Sequence, residues 1–161
     1  MELTLKSIGL VQGGRTEIID DDWNDVRAEI VLDANEFSGD ALTGLADFSH
    51  IEVLFHFHKG NPARIVTGTR HPRDRLDWPK VGIFAQRGAM RPNLLGMTIC
   101  RVLGVEGSKI LVQGLDAIDG TPVLDIKPVM TGFAPRGRVR EPEWAHEIMT
   151  DYWHAAGDQK S

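Results

Sequence analysis

The chain has 161 residues, 42% hydrophobic and 25% charged, which is typical of a single globular domain with a real core. Its formal net charge of −5 argues against broad coating of nucleic acid, because an acidic surface repels polyanions, although a local basic patch remains able to bind RNA. The single cysteine, Cys100, excludes an intramolecular disulfide and fits a reducing compartment.

The N-terminal stretch MELTLKSIGL has no basic region followed by an apolar one, which predicts that the chain carries no signal peptide. No apolar run approaches the ~20 residues of a membrane-spanning helix. A cytoplasmic location is therefore predicted. Seventeen glycines and eight prolines indicate many turns, which favours a β-rich chain over a helical bundle.

Alternating apolar residues predict three strands in the first third of the chain, namely LTLKSIGLVQ, AEIVLD and SHIEVLFHFH. The segment SGDALTGLADF, which precedes the third strand, reads as a short helical turn. Side chains alternate along a strand, so one face of SHIEVLFHFH carries Ile51, Val53, Phe55 and Phe57.

The opposite face of that strand carries His50, Glu52, His56 and His58. A His-x-His pair such as His56 and His58 begins the metal site of some small barrels. The alternative is a pair of hydrogen-bonded surface histidines, because no spacing specifies the third ligand. The interpretation we favour is that the chain binds no metal.

In the middle of the chain, the basic segment KGNPARIVTGTRHPRDRLDWPK predicts a strand, ARIVTG, followed by an ordered loop. VGIFAQ is a predicted short strand, RGAMRPNLLG a loop, and MTICRVLGVEG a strand in which Cys100 is a small buried hydrophobic residue. SKILVQGLDAI and TPVLDIKP are predicted to form a hairpin around Asp119-Gly120, a strong two-residue turn signal.

The period changes near the C-terminus, where Trp144, Ile148 and Tyr152 recur every four residues and predict an amphipathic helix over about 142–156. The predicted fold class is therefore mainly β, a single small β-barrel with short helical turns and this helix. A Rossmann fold is not expected, because no G-x-G-x-x-G turn occurs. No G-x-S-x-G elbow occurs either, which argues against a covalent mechanism.

Two segments concentrate polar residues, RGAMRPNLLG and LDAIDGTPVLDIKP. Pro92 favours an extended Arg91, and Asn93 beside it offers both a donor and an acceptor. Asp125 and Lys127, two apart on a strand, share one face. Such a set suits a zwitterionic ligand with hydroxyl groups, and equally a surface ion-pair network with a structured turn.

Three motifs occur in one order and spacing, FSHIEVLFHFH, GIFAQRGAMRPNLLGMTICRV and GLDAIDGTPVLDIKP. Together they resemble the TsaA-like family, which includes the TrmO transfer-RNA methyltransferases. The resemblance covers most of Ile8 to Pro135 and implies one β-barrel domain over 1–161, with its core at about 8–135. It also implies a homodimer that binds S-adenosyl-L-methionine near the subunit interface. The implied reaction is N6-methylation of a threonylcarbamoyl-modified adenosine beside the tRNA anticodon, without a metal.

Carried onto this sequence, the resemblance implies a cofactor-binding set drawn from the second and third motifs. These residues are Phe84, Gln86, Arg87, Arg91, Pro92, Asn93, Gly96, Leu115, Asp116, Asp119, Gly120, Thr121, Pro122, Asp125, Ile126 and Lys127. Asp125 and Lys127 are also the candidate catalytic pair. His58, Arg70 and Arg73 are the candidate substrate-binding residues.

Several positions depart from the family pattern, and for this reason the sequence does not identify the methyl acceptor. Gln86, Gly88 and the pair Leu94-Leu95 replace Thr, Ser and Pro-Ile, and Val129 stands where an aromatic residue is usual. The alternatives are methylation of a small molecule, or a non-enzymatic or metal-binding barrel that uses His56 and His58.

The arginines are the candidate RNA contacts, with a solvated loop as the alternative. They are Arg64, Arg70, Arg73, Arg75, Arg136, Arg138 and Arg140. A flipped base is expected to stack on Phe84 or Trp78.

Overall fold

Six antiparallel strands close into a barrel in the computed structural model, which describes residues 1–154. In spatial order the barrel strands are β1 (Gly9–Gln12), β2 (Arg27–Leu32), β7 (Lys109–Gln113), β6 (Leu95–Glu106), β3 (His50–His56) and β8 (Pro122–Pro128). Two short strands, β4 (Thr69–Arg70) and β5 (Val81–Gly82), pair separately. The predicted fold class, mainly β and not Rossmann, is confirmed.

The barrel interior is built from the alternating residues of the strands. In β3, Ile51, Val53 and Phe55 are at most 1% exposed, as the sequence periodicity predicts. The facing strands contribute Ile30, Ile110, Val112 and Val123, all fully buried. Because each of these strands sends only every second side chain inward, the outer face remains available for polar residues.

Strands β6 and β7 form the tight hairpin of the barrel. Glu106 pairs with Lys109 across a two-residue turn in which Gly107 takes a left-handed conformation, with φ at +57°. β7 pairs with β6 only from Arg101 onward. The first half of β6, Leu95–Cys100, is therefore bordered by β3 but not by β7.

The predicted hairpin between SKILVQGLDAI and TPVLDIKP is wrong. Both edges of β7 are occupied, by β2 and β6, so β8 instead lies between β1 and β3 and closes the barrel. Asp119-Gly120 still forms a turn, closed by a 3.2 Å bond from the Thr121 amide to the Ile118 carbonyl. That turn packs on β1, where the Gly120 amide donates to the Val11 carbonyl at 2.8 Å.

The predicted strand ARIVTG is also wrong. The Asn61 side chain accepts a 2.9 Å bond from the Ala63 amide, and Pro62 opens a 3-10 helix, Pro62–Arg64, in place of an extended segment. Three other predicted elements are shorter than expected. LTLKSIGLVQ is a strand only at Gly9–Gln12, VGIFAQ only at Val81–Gly82, and the terminal helix spans Glu143–Met149.

The C-terminal segment, defined here as residues 143–154, contains this helix, α1, and the turn that follows it. The last two residues of the predicted helix, 155 and 156, lie outside the described residues. The segment docks on two loops. The Trp78 Nε1 donates to Glu147 at 2.6 Å, and the Trp23 amide donates to the Tyr152 carbonyl at 2.9 Å. Within residues 1–154, no helix has the length and apolar character needed to span a bilayer.

Candidate functional site

The loop that contains RPN lies against the end of β3. Arg91 is extended before Pro92, as predicted, with φ at −113° and ψ at 161°. Asn93 and Leu94 follow with φ of 65° and 51°, a conformation that disfavours non-glycine residues and is usually held by its surroundings. Here the Leu94 carbonyl accepts a 2.8 Å bond from the Phe57 amide, and its side chain is buried.

Two of the predicted cofactor residues, Gln86 and Arg91, bond to backbone carbonyls in and beside this loop. The Gln86 amide donates to the carbonyls of Arg70 at 3.1 Å and Val81 at 3.0 Å. The Arg91 guanidinium donates to the Gln86 carbonyl at 2.7 Å. Phe84, two residues before Gln86, is 79% exposed and so offers a free aromatic face.

Arg87 and Asp116 each bond to the half of β6 that β7 does not cover. The Arg87 Nη2 donates to the Met97 carbonyl at 2.6 Å. One Asp116 oxygen accepts from the hydroxyl of Thr98, the next residue along β6, and the other accepts from the Tyr152 hydroxyl. The second and third sequence motifs therefore contribute a cation and a carboxylate that bond to consecutive residues of β6, Met97 and Thr98.

This carboxylate acts on its buried neighbours. Burial, together with the negative charge of Asp116, raises the pKa of the Tyr152 hydroxyl well above its usual range, while Arg87 opposes the shift. Burial and Asp116 also raise the pKa of the Cys100 thiol to about 12. Cys100 is therefore a buried, protonated thiol, as the sequence predicted, and not a nucleophile.

The Asp119-Gly120 turn lies beside His58, the last residue of the first motif. A Cβ atom on Gly120 would stand 3.8 Å from the His58 Nε2, and the Asp119 carboxylate accepts a 2.8 Å bond from the Gly13 amide. Burial and the nearby Lys59 and His56 lower the pKa of His58, against the opposing charge of Asp119. His58 is therefore a neutral imidazole at neutral pH.

Asp125 and Lys127 share the outer face of β8 and bond directly to each other, as the strand periodicity predicted. A register shift against Leu54 and Phe55 reverses the alternation, so that Val123 points inward while Asp125 points outward. The bond to Asp125 raises the pKa of Lys127. Both side chains are exposed, which leaves the pair accessible to a large ligand.

Other predicted cofactor residues belong to the barrel itself. Gly96, Leu115 and Thr121 are buried. Pro122 pairs with Leu10 of β1, and Ile126 pairs with Val53 of β3.

The predicted RNA-contact arginines fall into two groups. Arg73 donates to both oxygens of Asp21, at 3.0 and 2.6 Å. Burial acts to lower the Arg73 pKa, but the hydrogen bonds and the negative charge of Asp21 raise it overall. Arg70 bonds to Asp74 at 3.3 Å, and Arg75 bonds to Asp77. The second group stays exposed, namely Arg64, Arg136, Arg138 and Arg140.

Trp78 is not a stacking platform for a base, contrary to prediction. Its side chain is only 4% exposed, and the Arg75 guanidinium lies 4.0 Å from its ring centroid. Within residues 1–154, no three His, Cys, Asp or Glu side chains come together as a metal site would require.

Sequence reasoning missed two residues of the site, Thr98 and Tyr152. Thr98 lies in an apolar run, and Tyr152 fitted the apolar stripe of the predicted helix. The one available signal was that Tyr152 is the only tyrosine in the chain.

Comparison with known proteins finds one matching family and several similar proteins. The tRNA-methyltransferase O N-terminal domain family matches residues 20–134. A human tRNA (adenine(37)-N6)-methyltransferase is 41% identical over 102 residues, which are 63% of this chain and 23% of that protein. A probable S-adenosyl-L-methionine-binding protein, VirR of Rhizobium radiobacter, is 41% identical over 101 residues, 63% of this chain and 55% of that protein.

Among solved structures, TrmO from Pseudomonas aeruginosa superposes with a TM-score of 0.71 at 27% identity, covering 89% of this chain and 62% of that one. The chain thus spans less than a quarter of the mammalian relatives it matches, such as the human protein at 23%, and under two thirds of the solved TrmO chain. The family indicated by the three sequence motifs is confirmed.

Proposed function

Since the chain belongs to the tRNA-methyltransferase O N-terminal domain family, we propose that it is an S-adenosyl-L-methionine-dependent tRNA adenine-N6 methyltransferase. The acceptor we propose is the threonylcarbamoyl-modified adenosine next to the anticodon. The observation that carries the proposal is that Arg87 and Asp116 bond to consecutive residues, Met97 and Thr98, in the uncovered half of β6. The curated relatives, named as tRNA (adenine(37)-N6)-methyltransferases and S-adenosyl-L-methionine-binding proteins, support it.

The donor set fits the cofactor. S-adenosyl-L-methionine has a carboxylate, an ammonium, ribose hydroxyls and an adenine ring. Arg87 suits the carboxylate, Asp116 and Asp119 suit the ammonium and the hydroxyls, and the exposed ring of Phe84 suits the adenine. When bound, the cofactor supplies a methyl group on a positively charged sulfur.

The residues of the chain then have two tasks, to position the acceptor amine and to take up its proton. Displacement at a methyl carbon depends chiefly on alignment, so fixed groups matter more than strong acids or bases. His58, with a lowered pKa, is a neutral imidazole that can accept a proton. We assign acceptor contact to the exposed pair Asp125 and Lys127.

A small-molecule acceptor is the second candidate, and one observation favours it. Arg70, Arg73 and Arg75 form ion pairs within the chain, which reduces the positive charge available to tRNA phosphates. Only the exposed arginines Arg64, Arg136, Arg138 and Arg140 then remain from the predicted contact set.

Labelled methyl transfer to total tRNA from a strain that lacks the modification tests the proposal. We expect label at adenine N6 with the wild-type chain, loss with Arg87→Ala, and retention with Arg27→Ala, an exposed arginine of β2. Absence of label in tRNA, with cofactor binding intact, would refute the tRNA acceptor and support the small-molecule one.

We also propose that the chain is one domain, acts in the cytoplasm and forms a homodimer. Apolar side chains on the outer face of the barrel support the last point. Met97, Ile99 and Leu103 of β6 are 45%, 53% and 41% exposed, and Leu111 of β7 is 39% exposed. Light scattering of the purified chain tests it, and a monomer at all concentrations would refute it.

A further inference from the structure

We propose that Tyr152 is a positioning residue of this site, whose hydroxyl holds the Asp116 carboxylate in the orientation that the cofactor meets. Cofactor binding is thereby tied to docking of the C-terminal segment, residues 143–154. Tyr152 lies outside the part of the chain that the family matches, residues 20–134. The inference rests on the proposed function, because it takes Asp116 as part of the cofactor site.

The Asp116 carboxylate is held at both of its oxygens. Thr98, 6% exposed on β6, donates to one oxygen, and Tyr152 donates to the other. Thr98 belongs to the rigid barrel, so it fixes one end of the carboxylate whatever the C-terminal segment does. Tyr152 supplies the second anchor and therefore determines the rotation of the carboxylate group.

These two bonds leave Asp116 able to receive a ligand. An ionised carboxylate has about four acceptor positions on its two oxygens, and the side chains of residues 1–154 use two of them at Asp116. The tyrosine hydroxyl therefore orients the carboxylate without exhausting it. If the C-terminal segment only blocked the site sterically, its bulk would be sufficient. Removal of the Tyr152 hydroxyl would then leave cofactor binding unchanged.

Contacts that do not involve the Tyr152 hydroxyl also hold the segment on the protein. The Asp22 amide donates to the Asp151 carbonyl at 3.1 Å, and the Trp23 amide donates to the Tyr152 carbonyl at 2.9 Å. Glu147 receives the 2.6 Å bond from the buried Trp78 ring. Loss of the Tyr152 hydroxyl alone therefore leaves the segment docked, which makes the hydroxyl separately testable.

The loops beneath the segment are unusual in their backbone. Asp22, Arg73 and Asp74 all have positive φ, at 63°, 49° and 56°, and the Arg73–Asp21 pair joins the two loops. Non-glycine residues hold such conformations when the surrounding structure imposes them, often near a functional site. The C-terminal segment thus packs on two loops whose backbone conformation is itself held in place.

The test of the role is calorimetry of S-adenosyl-L-methionine with the full chain and with Tyr152→Phe, which removes only the hydroxyl. A hydrogen bond to a charged group supports an expected loss of affinity of about 10-fold. Thr150→Ala is the matched control, since its hydroxyl bonds within the segment, to the His146 carbonyl at 3.4 Å. Unchanged or tighter binding by Tyr152→Phe would overturn the inference while leaving the proposed function intact.

The contact has a readout that needs no cofactor. As the only tyrosine, Tyr152 can be titrated alone by its absorbance near 295 nm. The charged groups around it are Asp116, Asp20, Arg87 and Arg73. We expect ionisation well above the ordinary tyrosine range, and a downward shift in Asp116→Asn. Ordinary ionisation in the wild type would refute the contact, whereas a displaced titration without cofactor binding would refute the proposed function.

Discussion

Gly96 and Phe55 face each other across β6 and β3, so closely that a Cβ atom at position 96 would stand 2.3 Å from the Phe55 Cε2. The Phe55 ring is 1% exposed and packs edge-to-face on Phe57, with 5.2 Å between ring centroids. The ring therefore has little room to move. The glycine of the second motif is required by the barrel core, whatever it also does for a ligand.

Gly96→Ala is expected to lower the free energy of unfolding by about 1–3 kcal/mol, because the added methyl overpacks the core. Denaturant unfolding measures the change. Gly104→Ala on the same strand is the control, since a Cβ there meets no atom within 4 Å. Equal stability of the two variants would show that a Cβ atom at position 96 fits beside Phe55 without overpacking the core.

Cys100 is expected to resist thiol reagents in the folded protein at pH 8. Its pKa of about 12 leaves almost no thiolate, and its side chain is only 2% exposed. Labelling with a chromogenic disulfide reagent should proceed only at the rate of unfolding, and should become fast in denaturant. Rapid stoichiometric labelling under native conditions would contradict this account of the site.

Arg73→Ala is expected to lower the free energy of unfolding by about 1–2 kcal/mol, since it leaves the partly buried Asp21 without its two charged hydrogen bonds. Arg64→Ala, at an exposed arginine, should leave stability unchanged and weaken tRNA binding instead. Denaturation and filter binding separate the two effects. If Arg73→Ala weakened tRNA binding with no loss of stability, Arg73 would be a substrate contact, as the sequence first suggested.

Stability is expected to fall above about pH 10, and less steeply in Tyr152→Phe. The pKa of Tyr152 is raised in the folded state, so above the ordinary tyrosine pKa the unfolded chain releases a proton that the folded chain retains. The contribution of Tyr152 is therefore complete below about pH 10 and is lost as pH rises through the folded value. Urea unfolding at pH 9 and pH 11 measures it, and equal losses in both proteins would count against the buried contact.

Local patterns predicted the interior of the barrel but not its closure. The alternation in β3 was a sound guide because Ile51, Val53 and Phe55 have the barrel core on one side and solvent on the other. The Asp119-Gly120 turn was identified correctly, yet its role was not, because strand partners depend on which edges remain free. Occupation of both edges of β7, by β2 and by β6, is a long-range property that no turn signal contains.

The site shows the same division. The motifs named Arg87, Asp116, Gln86 and Arg91 as candidates, which they remain. The backbone bonds of Gln86 and Arg91 could not be predicted, because they depend on carbonyl positions set by folding. Tyr152 was missed because an apolar stripe accounts for its position equally well. Only the folded chain brings residue 152 to residue 116.

Calorimetric titration of the purified chain with S-adenosyl-L-methionine tests the central claim most directly. The account predicts stoichiometric binding that Asp116→Asn weakens severely, because the carboxylate fixed by Thr98 and Tyr152 faces the cofactor. Absence of heat with a folded wild-type chain, or equal affinity in Asp116→Asn, would contradict it.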